Sequence, residues 1–389
     1  MRLLVSAPAL LGLVALCLAG AKAPKTVLIL TGDSRGSLSP CGCSKPMVGG
    51  LKRLATIVRA YDGDRLGILL ANASLTGGLG RQEELKAQTM AASLKALGAT
   101  AVHLTPAEAQ SPEIRLTFEN ILGGAVLTGD RTHTEAGGYR IVVAPEASLG
   151  DEEAAALANH QRLIVMLDGG LGAARQLAVD HPSIALIEYR QDGRSDVSSE
   201  GTTLLATPGS KLQYAVVIED EGGSFAEPIS IPLDERVRDD PATTRLYDDY
   251  LQRVDSENLL SQIPRPRSEL FAGSKRCAPC HATAYHVWAQ SGHASALKTL
   301  DSGGHGRDPE CVSCHVVGLD SIHGFQSESL TPQLVGVGCE SCHGPGLGHA
   351  RAPRQRPMPR IGPAACMQCH VADHSPEFDF SRFWPRIRH

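Results

Sequence analysis

At 389 residues the chain exceeds one ordinary domain, and 42% hydrophobic with 20% charged residues is the balance of a folded, soluble protein rather than a disordered one. A net charge of −5 leaves no basic excess for a phosphate backbone, which sets nucleic-acid binding aside. The anomaly is the distribution of eleven cysteines and fifteen histidines: eight of the former lie between Cys277 and Cys369, and eleven of the latter from His281 onward.

In chain order, Leu3 to Ala21 is an apolar run behind Arg2 that ends in Ala19-Gly20-Ala21, the pattern of a secretory signal. It predicts a signal peptide over 1–21, since cleavage after Ala23 would put Pro24 just past the scissile bond. Two other readings stay open: lipidation at Cys17, where Leu16 is an ill-fitting neighbour, and retention as an uncleaved membrane anchor, since the run approaches a span in length. That segment is the only membrane contact expected. The expected compartment is the periplasm, which is oxidising.

From Lys25 to about Leu233, apolar runs rich in β-branched residues alternate with helical patterns, predicting an α/β domain over 25–235. The expected strands are Thr26–Leu30, Leu66–Ala71, Ala101–Leu104, Tyr139–Val143, Leu163–Leu167 and Ile184–Ile187, and the expected helices are Gln82–Leu97 and Glu152–Asn159. Thr202–Ala206 and Leu212–Ile218 read as an antiparallel pair joined by a turn at Pro208-Gly209. A charged amphipathic helix over Thr243–Leu260 and a stiff Ile263-Pro264-Arg265-Pro266-Arg267 linker then occupy 236–267.

Within the α/β domain, Val27-Leu-Ile-Leu-Thr-Gly-Asp33-Ser-Arg-Gly-Ser-Leu and the Pro208-Gly209-Ser210-Lys211-Leu212 segment resemble the periplasmic 5′-nucleotidase-like metallophosphoesterases. That resemblance implies a sandwich fold and two metals held by carboxylates, histidines and an asparagine, which clamp the attacking and leaving oxygens. The ligand set is degenerate here. Asp33 stays, but Arg35 replaces the partner histidine, Asn72 stands where an aspartate belongs, Leu104-Thr-Pro-Ala-Glu has no Asn-His pair, and Asp168-Gly-Gly has no later histidine. Hydrolysis is therefore not expected, and His103, His133, His160 and His181 read as structural or surface residues. The domain has instead Cys41-Gly-Cys43, followed by Gly49-Gly50 at a loop-to-helix boundary. Two readings stay open for this pair: a structural disulfide or metal clip, and a redox pair, because a ring closed over residues two apart is strained and a helix N-terminus lowers a thiol pKa.

Over 268–389 periodicity fades, glycine and proline are frequent and apolar runs are short, so something other than side chains must fill the interior. Four C-x-x-C-H motifs supply it: Cys277–His281, Cys311–His315, Cys339–His343 and Cys366–His370. Two thiols three positions apart on one turn reach the two vinyl groups of a haem, and the next residue puts an imidazole under the iron. The spacing predicts thioether attachment through Cys277, Cys280, Cys311, Cys314, Cys339, Cys342, Cys366 and Cys369, with His281, His315, His343 and His370 as proximal ligands of four covalently bound c-type haems. Paired zinc knuckles do not explain a histidine after every second cysteine. The seven histidines left for sixth positions are His286, His293, His305, His323, His349, His374 and His389, against Met358 and Met367 as the nearby methionines.

The stretch from Gly273-Ser-Lys-Arg-Cys277 through Trp288 and His293-Ala-Ser-Ala296, the Cys311 motif, and Gly336-Val-Gly-Cys-Glu-Ser-Cys-His-Gly-Pro-Gly346 resemble the tetrahaem cytochromes c-554 of hydroxylamine-oxidising nitrifiers. The resemblance implies a mostly helical, loop-rich domain around closely stacked haems, with electron transfer as its function, and places distal ligands at His293 and His349. In that family the second haem lacks a protein sixth ligand, whereas here His323 follows the second motif, so both readings stay open. Behind the Phe383-Trp384 anchor, His389 is favoured over His374 as a further distal ligand. The expectation is an exported electron-transfer protein with redox partner proteins and a need for the cytochrome c maturation machinery. The alternatives are a multihaem oxidoreductase of a small nitrogen or sulfur compound and a phosphoesterase with an electron-transfer module.

Overall fold

The computed structural model describes residues 26–40, 46–61, 66–72, 74–145, 148–159, 161–301, 303–371, 374–375 and 377–389. The signal segment, Cys41, Cys43 and His160 lie outside them.

The N-terminal part holds two six-stranded mixed sheets. Their strands are β1 (Thr26–Leu30), β2 (Leu66–Ala71), β3 (Ala101–His103), β4 (Val126–Leu127), β5 (His133–Ala136), β6 (Tyr139–Ala144), β7 (Arg162–Leu167), β8 (Leu186–Glu188), β9 (Asp196–Glu200), β10 (Thr203–Thr207), β11 (Tyr214–Asp220) and β12 (Ile229–Pro232). The first sheet runs β12-β11-β1-β2-β3-β4 and the second β5-β6-β7-β8-β10-β9. In the first, β1, β2, β3 and β4 form a parallel block that reaches one edge, with antiparallel β11 and β12 on the other side; in the second, parallel β6, β7, β8 and β10 lie between antiparallel β5 and β9.

Unbroken apolar runs such as Thr26–Leu30 form strands covered on both faces, because successive side chains point to opposite sides. Leu28 and Leu30 meet Ile68, Ile164 and Met166 between the sheets. Val27 and Ile29 face outward onto Leu54, Leu85 and Leu94. Helices α1 (Leu51–Ala60), α2 (Arg81–Ala96), α3 (Pro106–Gln110) and α4 (Pro112–Leu122) lie beside the first sheet, and α5 (Asp151–Ala158) and α6 (Leu171–Asp180) beside the second. The result is a four-layer α/β sandwich, the class expected.

One pairing departs from expectation. Strands β10 and β11 are not partners: β10 lies parallel to β8 in the second sheet and β11 antiparallel to β1 in the first. The Pro208-Gly209 segment crosses between the sheets, and an isolated bridge from Ser210 to Asp33 holds it there. Both segments alternate correctly and a turn separates them, but such a pattern does not specify the partner. The predicted helix over 243–260 is also two pieces, α7 (Pro241–Ser256) and α8 (Leu259–Gln262), parted by Asn258 in a left-handed conformation (φ 50°). Asp240 caps α7 by accepting from the Thr243 N–H at 2.8 Å, and Tyr247, Tyr250 and Val254 join the core against α1 and α2.

Beyond residue 263 no named strand occurs among the described residues, and helices are of three to eight residues. A small apolar cluster of Leu297, Leu300, Val312, Val316, Phe325 and Leu334 surrounds the second motif. After Leu334 no large apolar side chain is buried among the described residues, which is the coreless composition the sequence announces. Gln82 donates to Asp308 at 2.8 Å, Lys86 pairs with Glu310, and Arg307 pairs with Asp255 at 3.0 Å, so α2 and α7 grip the turn that carries Cys311.

Candidate functional site

Each Cys-x-x-Cys-His motif begins on a single helical turn, at Ser274–Cys277, Pro309–Val312, Cys339–His343 and Pro363–Cys366. The His281 and His370 N–H groups donate to the Cys277 and Cys366 carbonyls at 3.0 and 2.9 Å, so both thiols and the imidazole of a motif project from one turn. The motifs are themselves paired. The Cys277 thiol meets that of Cys339, and the Cys314 thiol that of Cys369, setting the first beside the third and the second beside the fourth.

Glu340, between the two cysteines of the third motif, fixes the first of these pairings. Its buried carboxylate accepts from the Ala272 and Gly273 N–H groups, both at 2.7 Å, and from the Gly346 N–H at 2.6 Å. The Trp288 indole donates to the Val337 carbonyl at 2.7 Å and ties the helix after the first motif to the same strap.

Three motif histidines face a second imidazole. The ring centroids lie 6.1 Å apart for His281 and His349, 6.2 Å for His370 and His293, and 6.0 Å for His343 and His389. Metal–imidazole bonds of about 2 Å on each side, with about 1.1 Å from nitrogen to ring centre, span roughly 6 Å, so each gap has the length of a bis-imidazole metal centre. The Nδ1 atoms of His315, His349, His370 and His389 lie 2.7, 2.8, 2.9 and 3.1 Å from the Ala296 carbonyl, the Arg356 carbonyl, the Ser375 hydroxyl and the Ile387 carbonyl. Donation from Nδ1 leaves Nε2 as the lone-pair nitrogen, the tautomer a metal ligand uses. Of the other candidates, His286, His323 and His374 are exposed, Met367 is 57% exposed, and His305 rests 6.1 Å from the Tyr247 ring.

A second constellation lies at the C-terminal ends of the parallel strands of both sheets. Asp33 follows β1, Asn72 follows β2, His103 ends β3, Asp168 follows β7, and Glu188 ends β8. Two arginines occupy the space between the acids. Arg190 donates to Asp168 at 2.5 Å, to Asp33 at 3.1 Å and to Ser74 at 2.7 Å, and Arg35 donates to Asp33 at 3.1 Å and to Asp192. His103 Nδ1 lies 2.9 Å from Asn72 Oδ1, and burial pushes its pKa down to about 4. Burial pushes the Glu188 carboxyl up to about 8, with the Gly32 N–H as its partner. Four of the five described non-glycine residues with positive φ, Arg35, Ser74, Lys211 and Leu212, stand around Asp33. Neither Arg190 nor Glu188 was singled out by sequence reasoning; the one available signal was a basic and an acidic residue at the end of an expected buried strand.

Residues 276–344 match the family described as cytochrome c554 and c-prime. Cytochrome c-554 of Nitrosomonas europaea is 37% identical over 91 residues, 20% of this chain and 39% of that protein, so the chain spans about two fifths of the relative's length. Among solved structures, the sulfate thiohydrolase SoxB of Thermus thermophilus in complex with glycerol aligns with TM-score 0.48 and 11% identity, over 64% of this chain and 62% of that one. A 5′-nucleotidase precursor, also of Thermus thermophilus, aligns with TM-score 0.45 and 16% identity, over 72% and 68%. With four attachment motifs on helical turns and a family match across the first three, the C-terminal part of the chain is similar to cytochrome c-554.

Proposed function

We propose that the chain is an exported tetrahaem c-type cytochrome that carries electrons in a periplasmic redox chain, with 25–235 and 268–389 as its two domains and 236–267 between them. The observation that carries the reading is the set of three imidazole pairs at 6.0–6.2 Å, each joining a motif histidine to a distant one. In this reading Cys277 and Cys280, Cys311 and Cys314, Cys339 and Cys342, and Cys366 and Cys369 each hold one haem. His281 with His349, His370 with His293, and His343 with His389 ligate three irons, and His315, oriented by the Ala296 carbonyl, binds the second. At those three irons bis-imidazole ligation supplies relatively low potentials and no open position, which suits electron transfer more than bond chemistry. Attachment requires the maturation machinery, and redox proteins are the partners. Mass spectrometry and haem quantitation of matured protein test the count: four haems per chain are expected, and fewer would refute it.

A second reading concerns Cys41 and Cys43 as a redox pair exchanging electrons with the haems. Its support is Tyr247, whose hydroxyl hydrogen-bonds the Ser39 side chain, two residues before Cys41, and whose other surroundings include Cys311 of the second motif. The buried Tyr247 and Tyr250 rings stack at 5.9 Å beneath that motif.

A further inference from the structure

We infer that Arg190 takes the place of a metal centre: its guanidinium bridges Asp33 and Asp168 where a cation shared by those carboxylates would have to lie, and it keeps a metal ion out of this site. The donors available at these strand ends, Asp33, Asn72, His103, Asp168 and Glu188, are the kind that hold divalent ions. Three of them are largely committed elsewhere. Asp33, only 2% exposed, carries two guanidinium contacts on the same Oδ2 atom, one from Arg35 and one from Arg190. Asp168 takes the other arm of Arg190. Asn72 spends its amide nitrogen on the Glu188 and Leu167 carbonyls at 3.2 and 3.4 Å and its oxygen on His103.

The charges close as well. Two aspartates, Asp33 and Asp168, face two arginines, and Asp192 stands at the solvent rim with its side chain 78% exposed. A divalent ion entering such a site meets two positive charges at short range, and the two aspartates it would bind are already paired with them. The buried Asp33 Oδ1 and Glu188 Oε2 atoms are the exceptions, since neither has a hydrogen-bond partner, and Asp33 Oδ1 marks where a cation would first attach if the guanidinium were gone. The backbone strain at Arg35 and Ser74 belongs to the same arrangement: the Arg35 N–H donates to the Ser74 carbonyl at 2.6 Å, and Ser74 Oγ accepts from Arg190.

The test uses full-length haem-loaded protein and Mn²⁺, following the free-ion signal by magnetic resonance. The wild type is expected to take up no Mn²⁺ at this site up to about 1 mM, whereas Arg190→Ala gains one ion, with affinity raised on the order of a hundredfold by removal of one partly buried positive charge. Asp33→Asn in the Arg190→Ala background should abolish that gain, which separates it from weak uptake at the His133, Glu152 and Glu153 cluster on the other sheet. Arg190→Lys, which keeps the charge, should behave as wild type. Wild-type binding that Asp33→Asn removes would overturn the inference, and so would a folded Arg190→Ala protein that gains nothing. If Arg190→Ala does not fold, Arg190→Gln carries the same comparison, with uptake supporting the inference and its absence overturning it.

Discussion

Glu340 offers a quantitative test of how the first and third haem motifs are held together. Its carboxylate, 4% exposed, accepts three backbone N–H groups: Oε1 takes those of Ala272 and Gly346, and Oε2 takes that of Gly273. The bonds to Gly273 and Gly346 are buried and the bond to Ala272 is partly so. Hydrogen bonds to a charged group contribute about 1.5–3 kcal/mol each when buried, and water can replace part of the Ala272 contact, so Glu340→Ala should cost about 4 kcal/mol. Glu340→Gln is the sharper variant. Its amide oxygen can keep the two contacts of Oε1, but its NH₂ then faces the Gly273 N–H, donor against donor, for a loss of about 2 kcal/mol. Guanidinium unfolding of the haem-loaded protein, followed through the haem absorption bands, measures both. Two results would refute the reasoning: a Glu340→Gln protein as damaged as Glu340→Ala, or both variants within about 0.5 kcal/mol of wild type.

His293→Ala and His349→Ala should each convert one low-spin haem to high spin, seen in the visible and electron paramagnetic resonance spectra, with haem attachment intact; spectra unchanged by both would reject the ligand pairs. His389→Ala should do the same at the third motif, and His374→Ala should not. Glu188, with a folded pKa near 8 against an ordinary carboxyl value of 4.5, binds its proton more tightly folded than unfolded, so its stability contribution is full below pH 4.5 and is lost as pH rises through 8. Glu188→Gln should therefore match wild type in acid and exceed it by a few kcal/mol in thermal or denaturant unfolding above pH 8; an advantage that grows toward low pH would contradict the burial argument. If Cys41 and Cys43 exchange electrons with the haems, haem reduction at controlled potential should release two alkylatable thiols; constant labelling by mass spectrometry across the haem transition would leave the pair structural.

Much of this protein is legible in the chain because the relevant information is local. A Cys-x-x-Cys-His motif is complete within five residues, and a turn of helix presents its thiols and imidazole together whatever the rest of the fold does. The same locality explains the strands Thr26–Leu30 and Leu66–Ala71, where unbroken apolar runs require cover on both faces and the sandwich supplies it. His349 and His293 were legible in a weaker sense, through likeness to a known family rather than through spacing.

Tertiary structure decided the partnerships. Nothing near His281 in the sequence indicates that its imidazole faces His349, that His370 faces His293, or that His343 faces His389, because each pair joins segments brought together only when the turns stack. Strands β10 and β11 have the composition of neighbours and lie in different sheets, since alternation fixes which face a side chain takes but not which strand lies beside it. Arg190 is the clearest instance. It lies 157 residues from Asp33, and only the stacking of one sheet on the other puts its guanidinium between two carboxylates that the sequence alone shows as an incomplete ligand set. Charge acts through space rather than along the chain, so its balance at a site is settled by packing.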